Sequence, residues 1–481
     1  MKSLQESSSP IMLPESVIQS KPYQAAVSIV HHLRKAGHQA YFVGGCVRDL
    51  IMGIEPGDFD IATAAVPEII ESLFSRTIPV GARFGVMIVV EGVYQFEVAT
   101  FRSEDVYEDG RRPLHVTFST AKEDVRRRDF TINGLLMDPE TDQVIDYVDG
   151  QADIRSRIIR TIGNPDDRFS EDHLRMLRAV RFAANLDFDI ETATFEAIQR
   201  NARKIDRISA ERIREEMSRL LSGDHPRRGL ELLDASSLLY KILPEVAALR
   251  GVEQPPVFHP EGDVLEHTLR MLELLPAENS FTGRDRLCLA WAALLHDVGK
   301  AVTRSENESG VHFYAHVGEG AQMAEDILRR LNFSNEDRNT IIALIGAHMR
   351  FMHVRQMRPS KLKRFIRQPD FPLHLELHRL DCLGSHGMLD YYEFCKQKLE
   401  ELPEKELRPP RLISGYDLKE MGYEPGPVFR EILGAVEDAQ LNGEISSVDA
   451  ARTFISKKWL LNKIATAACA PPRDDKRGNG P

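Results

Sequence analysis

No stretch of the 481 residues approaches the run of about 18 apolar residues that a membrane helix needs, so the chain is not expected to span a membrane. Cysteine is scarce. The five residues, at positions 46, 288, 382, 395 and 469, are odd in number and form no Cys-x-x-Cys pair, which argues against a disulfide scaffold or a thiolate zinc site. The opening MKSLQESSSPIMLPES is polar, with only a short apolar patch, and lacks the core of a secretory signal. These absences point to a cytoplasmic protein. No short-period repeat is visible. Global disorder is excluded, because 42% of the residues are hydrophobic and can build sizeable cores.

At about 100–200 residues per domain, the length suggests about three domains. The net charge of −11 by itself speaks against a nucleic-acid partner. Residues 151–230 depart from that average, with 15 Arg and 1 Lys against 14 acidic residues. Arginine rather than lysine suits phosphates and stacked bases, although the same residues also fit solvated helix faces. Residues 1–15 and the tail 471–481 read as disordered. Residues 16–150 mix strands and helices. Beyond them the pattern is almost wholly helical, with expected segments at 151–250, 251–400 and 401–470.

The segment GGCVRDLIMGIEPGDFDIAT (44–63) carries the most chemistry. A short strand, YFVGG (41–45), runs into Gly44 and Gly45, and VRDLIMG (47–53) reads as the next helix. Glycines there let backbone N–H groups approach a phosphate, with Arg48 one turn on to clamp it. Asp58 and Asp60, on an expected strand, have the spacing that puts both carboxylates on one face to share divalent ions. GARFGVMIVVEGVYQFEVATF (81–101) reads as two strands with a turn near Glu91 and Gly92. Glu97 alternates with core positions there and is a candidate third carboxylate. In VRRRDFTINGLLMD (125–138), Arg128 can neutralise phosphates while Asp129 and Asn133 organise the loop. Glu97 and Asp129 both remain open as the third carboxylate.

These motifs, with YEDGRRPLHVTF (107–118), EDHLRMLRAVRF (171–182) and ERIREE (211–216), occur in the order found in the class II tRNA nucleotidyltransferase and bacterial poly(A) polymerase family, which the chain resembles over about its first 230 residues. The resemblance implies an α+β fold. A polymerase-beta-like head with a mixed or antiparallel sheet would precede all-α neck, HD and C-terminal modules. It implies that Asp58 and Asp60 bind Mg2+ and that Gly44, Gly45, Arg48 and Arg128 hold the nucleotide. Asp172 and Arg175 of the EDxxR element would select the base, with Arg178 and Arg181 nearby. On one helix, 172, 175 and 178 share a side. A carboxylate accepts the exocyclic amine of cytosine or adenine and repels the carbonyl of uracil or guanine. The implied activity is addition of C, A or both from CTP and ATP to a tRNA 3′ end, with release of pyrophosphate. Poly(A) tailing, or partial A-only or CC-only addition, are the neighbouring readings.

A second set, VLEHT (264–268), LLHDVGK (294–300), YAHVGEG (314–320), AHM (347–349) and RLDCLG (379–384), resembles the HD phosphohydrolase superfamily. The matching metal positions are His267, His296, Asp297 and Asp381, and His316 and His348 match the extra histidines of two-metal versions. The ion would be Mg2+ or a divalent transition metal, and the implied activity is phosphatase or 2′,3′-cyclic phosphodiesterase. A protein that is chiefly such a phosphohydrolase is the reading from another class. His259, His312, His353, His374, His378 and His386 have no motif role and are expected in loops or at the surface. In the C-terminal segment, Phe429, Ile432, Leu433 and Val436 read as the apolar stripe of a helix after a Pro-Gly-Pro turn.

Overall fold

The computed structural model describes residues 7–81, 84–104, 116–257, 259–276, 280–308 and 310–468. Much of YEDGRRPLHVTF and the tail 471–481 lie outside them. The chain divides into two compact units, residues 1–342 and 343–481, with the boundary inside the helix Asn335–Ala347 and therefore inside the 251–400 segment expected from the sequence.

The first unit begins with a mixed sheet. In chain order its strands are β1 (Ser7–Pro10), β2 (Ala40–Val43), β3 (Ile61–Thr63), β4 (Thr77–Gly81), β5 (Val86–Glu91) and β6 (Tyr94–Thr100). A separate ribbon, β7 (Arg102–Glu104) with β8 (Val116–Phe118), comes next, and β9 (Leu135–Asp138) and β10 (Gln143–Asp146) complete the sheet. The order across it is β1-β10-β9-β2-β3-β6-β5-β4, antiparallel throughout except for the parallel pair β3–β6. Strands β5 and β6 are joined by a tight turn at Gly92, which adopts a positive φ, where the sequence placed it. The helix Lys21–Lys35 lies on β2, β3 and β6 and buries Ile29, Val30 and Leu33 completely. It starts where the Ser20 hydroxyl accepts the Tyr23 N–H and Pro22 presets the first turn.

Three expectations change. Residues 1–15 were expected to be disordered, yet Ser7–Pro10 pairs along β10 as an edge strand. Its ladder is made by the backbone, and a run of serines gives no alternation to announce it. Asp58 and Asp60 do not lie on a strand. They sit in the approach to β3, although the Asp60 carbonyl already accepts the Val43 N–H. The segment 171–186 is not one helix. Asn164 caps the helix Pro165–Glu171, Asp172 is extended (φ −144°, ψ 106°), and the Asp172 carboxylate accepts the Leu174 N–H at 3.0 Å to help start the helix Leu174–Asn185. Cap residues at both ends split a pattern whose apolar period is continuous.

The rest of this unit is mainly helical, including Ala210–Leu221, Val264–Glu273, Gly283–Leu295 and His316–Arg330, with a short parallel pair, Ile158–Ile159 with Asp189–Ile190, and a hairpin, Arg304–Asn307 with Gly310–Phe313. The second unit is also helical. It contains His348–Gln356, Phe371–Gly384 and Pro427–Leu441, the last burying Ile432 and Val436 with Phe429 and Leu433 packed alongside, as the stripe implied. Among the described residues, no helix is long and apolar enough to cross a membrane.

Candidate functional site

The middle of β6 and the loop entering β3 bring the head carboxylates together. Glu97 projects from the exposed positions of β6, between buried Phe96 and Val98. Asp60 enters β3, the parallel neighbour of β6. Phe59, between the two aspartates, is buried against Phe42 and Tyr23 and anchors the loop. Burial first, then the carboxylates of Asp58 and Glu97, push the Asp60 carboxyl up to about 7 against the pull of Arg128. Three acidic groups and one guanidinium therefore share one electrostatic neighbourhood. Asp129, the other candidate third carboxylate, is committed elsewhere.

Gly44 has a positive φ, and a Cβ there would meet the Arg128 guanidinium at 3.3 Å. The backbone conformation requires glycine, and a side chain there would also crowd Arg128. Gly45 opens the helix Gly45–Ile51, which carries Arg48. Arg48 is buried. It donates through Nε to Asp49 at 2.8 Å and through Nη1 to the Asn133 side-chain oxygen at 2.8 Å. Arg128 donates to Asp124 at 3.1 Å.

Asn133 extends this network by donating to Asp129 Oδ1 at 3.2 Å. Arg178 donates to Asp129 Oδ2 through Nε and Nη2, at 2.9 and 2.6 Å. Burial alone would raise the Asp129 carboxyl, but the Arg178 guanidinium, helped by Arg175 and Asn133, holds it down at about 2. Arg181 donates to Glu216 at 2.5 Å, and Glu216 also lies 3.6 Å from Arg178. The guanidiniums of Arg48, Arg178 and Arg181 all approach the Phe182 ring, at 5.4, 5.2 and 4.1 Å from its centroid. Asp172 receives both arms of Arg212, at 2.6 and 3.2 Å. Arg175 donates to Glu171 at 2.5 Å and to the Arg127 carbonyl at 3.0 Å.

Sequence reasoning overlooked Asp49, Asp124, Phe182, Arg212 and Glu216. Asp124 was legible, three and four residues before Arg127 and Arg128. Arg212 and Glu216 stand in ERIREE, but their partners are 40 and 35 residues away.

In the HD segment of the first unit, His296 caps Gly283–Leu295, with its Nε2 3.1 Å from Asp297 Oδ2. Asp297 also meets Lys300 Nζ at 2.7 Å and His316 Nε2 at 3.7 Å. The rings of His267 and His296 are 5.3 Å apart. His259, Glu261 and His267 form a candidate metal-holding group. Glu261 was overlooked, and His259 is not a simple surface residue, because its ring stands edge-on to His267 at 5.2 Å. In the second unit, His348 opens His348–Gln356 and Asp381 lies on Phe371–Gly384. His374 and His378 on that helix are buried, contrary to the surface expected for them, and His378 stacks on Phe351 at 4.3 Å. Burial drives both imidazoles down to about 4.

Three family models match the chain: "Poly A polymerase head domain" over 40–160, "Probable RNA and SrmB- binding site of polymerase A" over 187–249 and "HD domain" over 264–370. The CCA-adding enzyme of Ligilactobacillus salivarius is 34% identical over 446 residues, covering 92% of this chain and 98% of its own. The chain belongs to the CCA-adding enzyme family. The CCA-adding enzyme of Streptococcus suis, 33% identical over 444 residues, has the same coverage. Among solved structures, the Bacillus stearothermophilus CCA-adding enzyme in complex with CTP aligns with a TM-score of 0.70 at 29% identity, over 94% of this chain and 100% of its own. A Thermotoga maritima CCA-adding enzyme complexed with tRNA shares the fold, with a TM-score of 0.57 at 18% identity. The protein is thus a nucleotidyltransferase of mixed α+β fold with an HD domain, and it comes from a metal-dependent family.

Proposed function

We propose that the protein adds C and A from CTP and ATP to the 3′ end of tRNA without a nucleic-acid template, releasing pyrophosphate, and that it works in the cytoplasm. The observation that carries this reading is the convergence of Asp58, Asp60 and Glu97 beside Arg128 at the adjacent interior strands β3 and β6 of the head sheet. Three carboxylates, of which Asp60 is raised by the other two, form a donor set of oxygens suited to Mg2+. When bound, that ion would lower the pKa of the RNA 3′ hydroxyl and stabilise the departing pyrophosphate. Asp58 and Asp60 would hold it, and Glu97 is the third carboxylate. Arg48 and Arg128 neutralise the triphosphate, each kept in place by a neighbouring carboxylate. Asp172 accepts the exocyclic amine of cytosine or adenine, and Arg175 donates to the adjoining ring acceptor. The Arg212 pair directs the Asp172 carboxylate. Arg178 and Arg181 support the pocket wall through Asp129 and Glu216.

The HD centre favours a second activity on the same chain. Its imidazoles and carboxylates suit a transition metal, which would supply a nucleophile for phosphoester hydrolysis. Within the first unit, His267, His296 and Asp297 are the holding residues, with His316 for a second ion.

The test uses tRNA transcripts ending before CCA, after C, after CC and at CCA, each with labelled CTP or ATP. Addition of CC, then A, then arrest supports the proposal. A-only addition, or long A tails on unrelated RNA, would refute it in favour of a partial enzyme or a poly(A) polymerase. Failure to incorporate, with cyclic-phosphate hydrolysis that Asp297→Ala abolishes, would leave only the HD activity.

A further inference from the structure

An imidazole holds a cation through one nitrogen once the other carries the proton. For three histidines at HD positions the main chain makes that choice. Nδ1 of His296 is 3.0 Å from the Ala293 carbonyl oxygen, that of His316 is 2.8 Å from Phe313, and that of His348 is 2.6 Å from Ile345. A carbonyl only accepts, so each Nδ1 donates and Nε2 keeps the lone pair.

His267 lies within the helix Val264–Glu273 and has a different neighbour. Its Nδ1 is 3.0 Å from Oε1 of Glu261, whose side chain has no exposed surface. The same oxygen accepts the Nδ1–H of His259 at 2.8 Å. A carboxylate withdrawn from water needs such donors, because an uncompensated buried charge is costly. The His259 contact is a hydrogen bond, and the His267 contact matches one in length. Ligands around a shared tetrahedral ion at about 2.0–2.1 Å would stand further apart, at roughly 3.3 Å.

We propose that Glu261 is a positioning residue of the HD centre. Its carboxylate takes the Nδ1 proton of His267 and turns Nε2 toward the cation, while His259 holds the carboxylate in place. The inference rests on the metal reading of the HD centre.

The full-length protein labelled with 15N-histidine tests it, first metal-free and then titrated with Zn2+ in excess Mg2+. In the metal-free wild type, His267 is expected as the Nδ1–H tautomer. Zn2+ should shift its Nε2 and leave the Nδ1 protons of His267 and His259 in place. Glu261→Gln, close to isosteric, should weaken Zn2+ binding by about 10–100-fold with CMP and AMP incorporation by the head unchanged. Glu261→Asp should recover part of the affinity. An Nε2–H tautomer at His267 in the wild type, wild-type affinity in Glu261→Gln, or loss of both Nδ1 protons on Zn2+ addition would overturn the proposal. The last would make Glu261 and the two histidines direct ligands. Wild-type protein that binds no Zn2+ would overturn the metal reading and the proposal with it. The metal-free spectrum tells that failure from the others, because it reads the Glu261–His267 contact alone.

Discussion

Glu216 gives the sharpest test of how the nucleotide pocket is held. Its side chain is 5% exposed, it accepts Arg181 Nε at 2.5 Å, and it faces Arg178 at 3.6 Å. Arg181 is 11% exposed, and burial depresses its guanidinium pKa despite the carboxylate beside it. Removing one partner of such a pair strands the other charge, at a cost of about 3–5 kcal/mol. Glu216→Leu and Arg181→Met should each lose about 3 kcal/mol, while the double variant, which strands nothing, should lose only about 1 kcal/mol. Calorimetric unfolding of the four proteins measures the cycle. The substitution should also reach catalysis. Arg178 braces Asp129, Asp129 accepts from Asn133, and Asn133 accepts from Arg48, so KM for CTP and ATP should rise more than kcat falls. Single variants within about 0.5 kcal/mol of wild type, or strictly additive losses, would refute the reasoning.

Three further outcomes follow. Asp60→Asn should lower incorporation by at least about a hundredfold while tRNA binding in a filter assay stays unchanged, and retained activity would exclude the carboxylate cluster as the centre. Asp172→Ala should reduce the preference for CTP and ATP over UTP and GTP by about tenfold or more, with triphosphate affinity little altered, and an unchanged preference would remove Asp172 from base selection. The His374 imidazole is pushed down to about 4, so it is neutral in the folded protein while its unfolded counterpart takes up a proton near pH 6.5. Its contribution is intact above pH 6.5 and is lost as pH falls toward 4. This amounts to about 2 kcal/mol at pH 5, which His374→Gln should restore relative to pH 7.5 in calorimetric melts.

The head was largely legible, because its signals are local. The Gly44–Gly45 pair and the turn at Gly92 each lie within a residue or two of the backbone geometry they produce, whereas the Asp58–Asp60 spacing was read as a strand that the loop before β3 replaces. The break at Asp172 was hidden because Leu174, Leu177 and Val180 continue an apolar period that a cap residue can interrupt without altering. Partnerships between distant segments, such as Arg181 with Glu216 or Arg212 with Asp172, cannot be read from spacing. Buried His374 and His378 sit among ordinary core leucines of Phe371–Gly384, and nothing in the residue pattern distinguishes them from surface histidines. The net charge misled for a related reason, since it sums acids committed to buried arginines together with those facing solvent.

Phe182, ringed by three guanidiniums, and the Arg178–Asp129 pair have a consequence for how the molecule can be cut. The head match stops at residue 160 and the RNA-binding match starts at 187, so the helix Leu174–Asn185 belongs to neither. Yet that helix supplies the cation that keeps Asp129 ionised and the aromatic face on which Arg48 rests. A fragment ending at 160 would retain Asp58, Asp60 and Glu97 and lose the Phe182 face beside Arg48. The smallest portable piece of this enzyme therefore extends through Ala210–Leu221, which carries Arg212 and Glu216. Exchange of heads between relatives is expected to preserve the pocket only when the crossover falls beyond that helix.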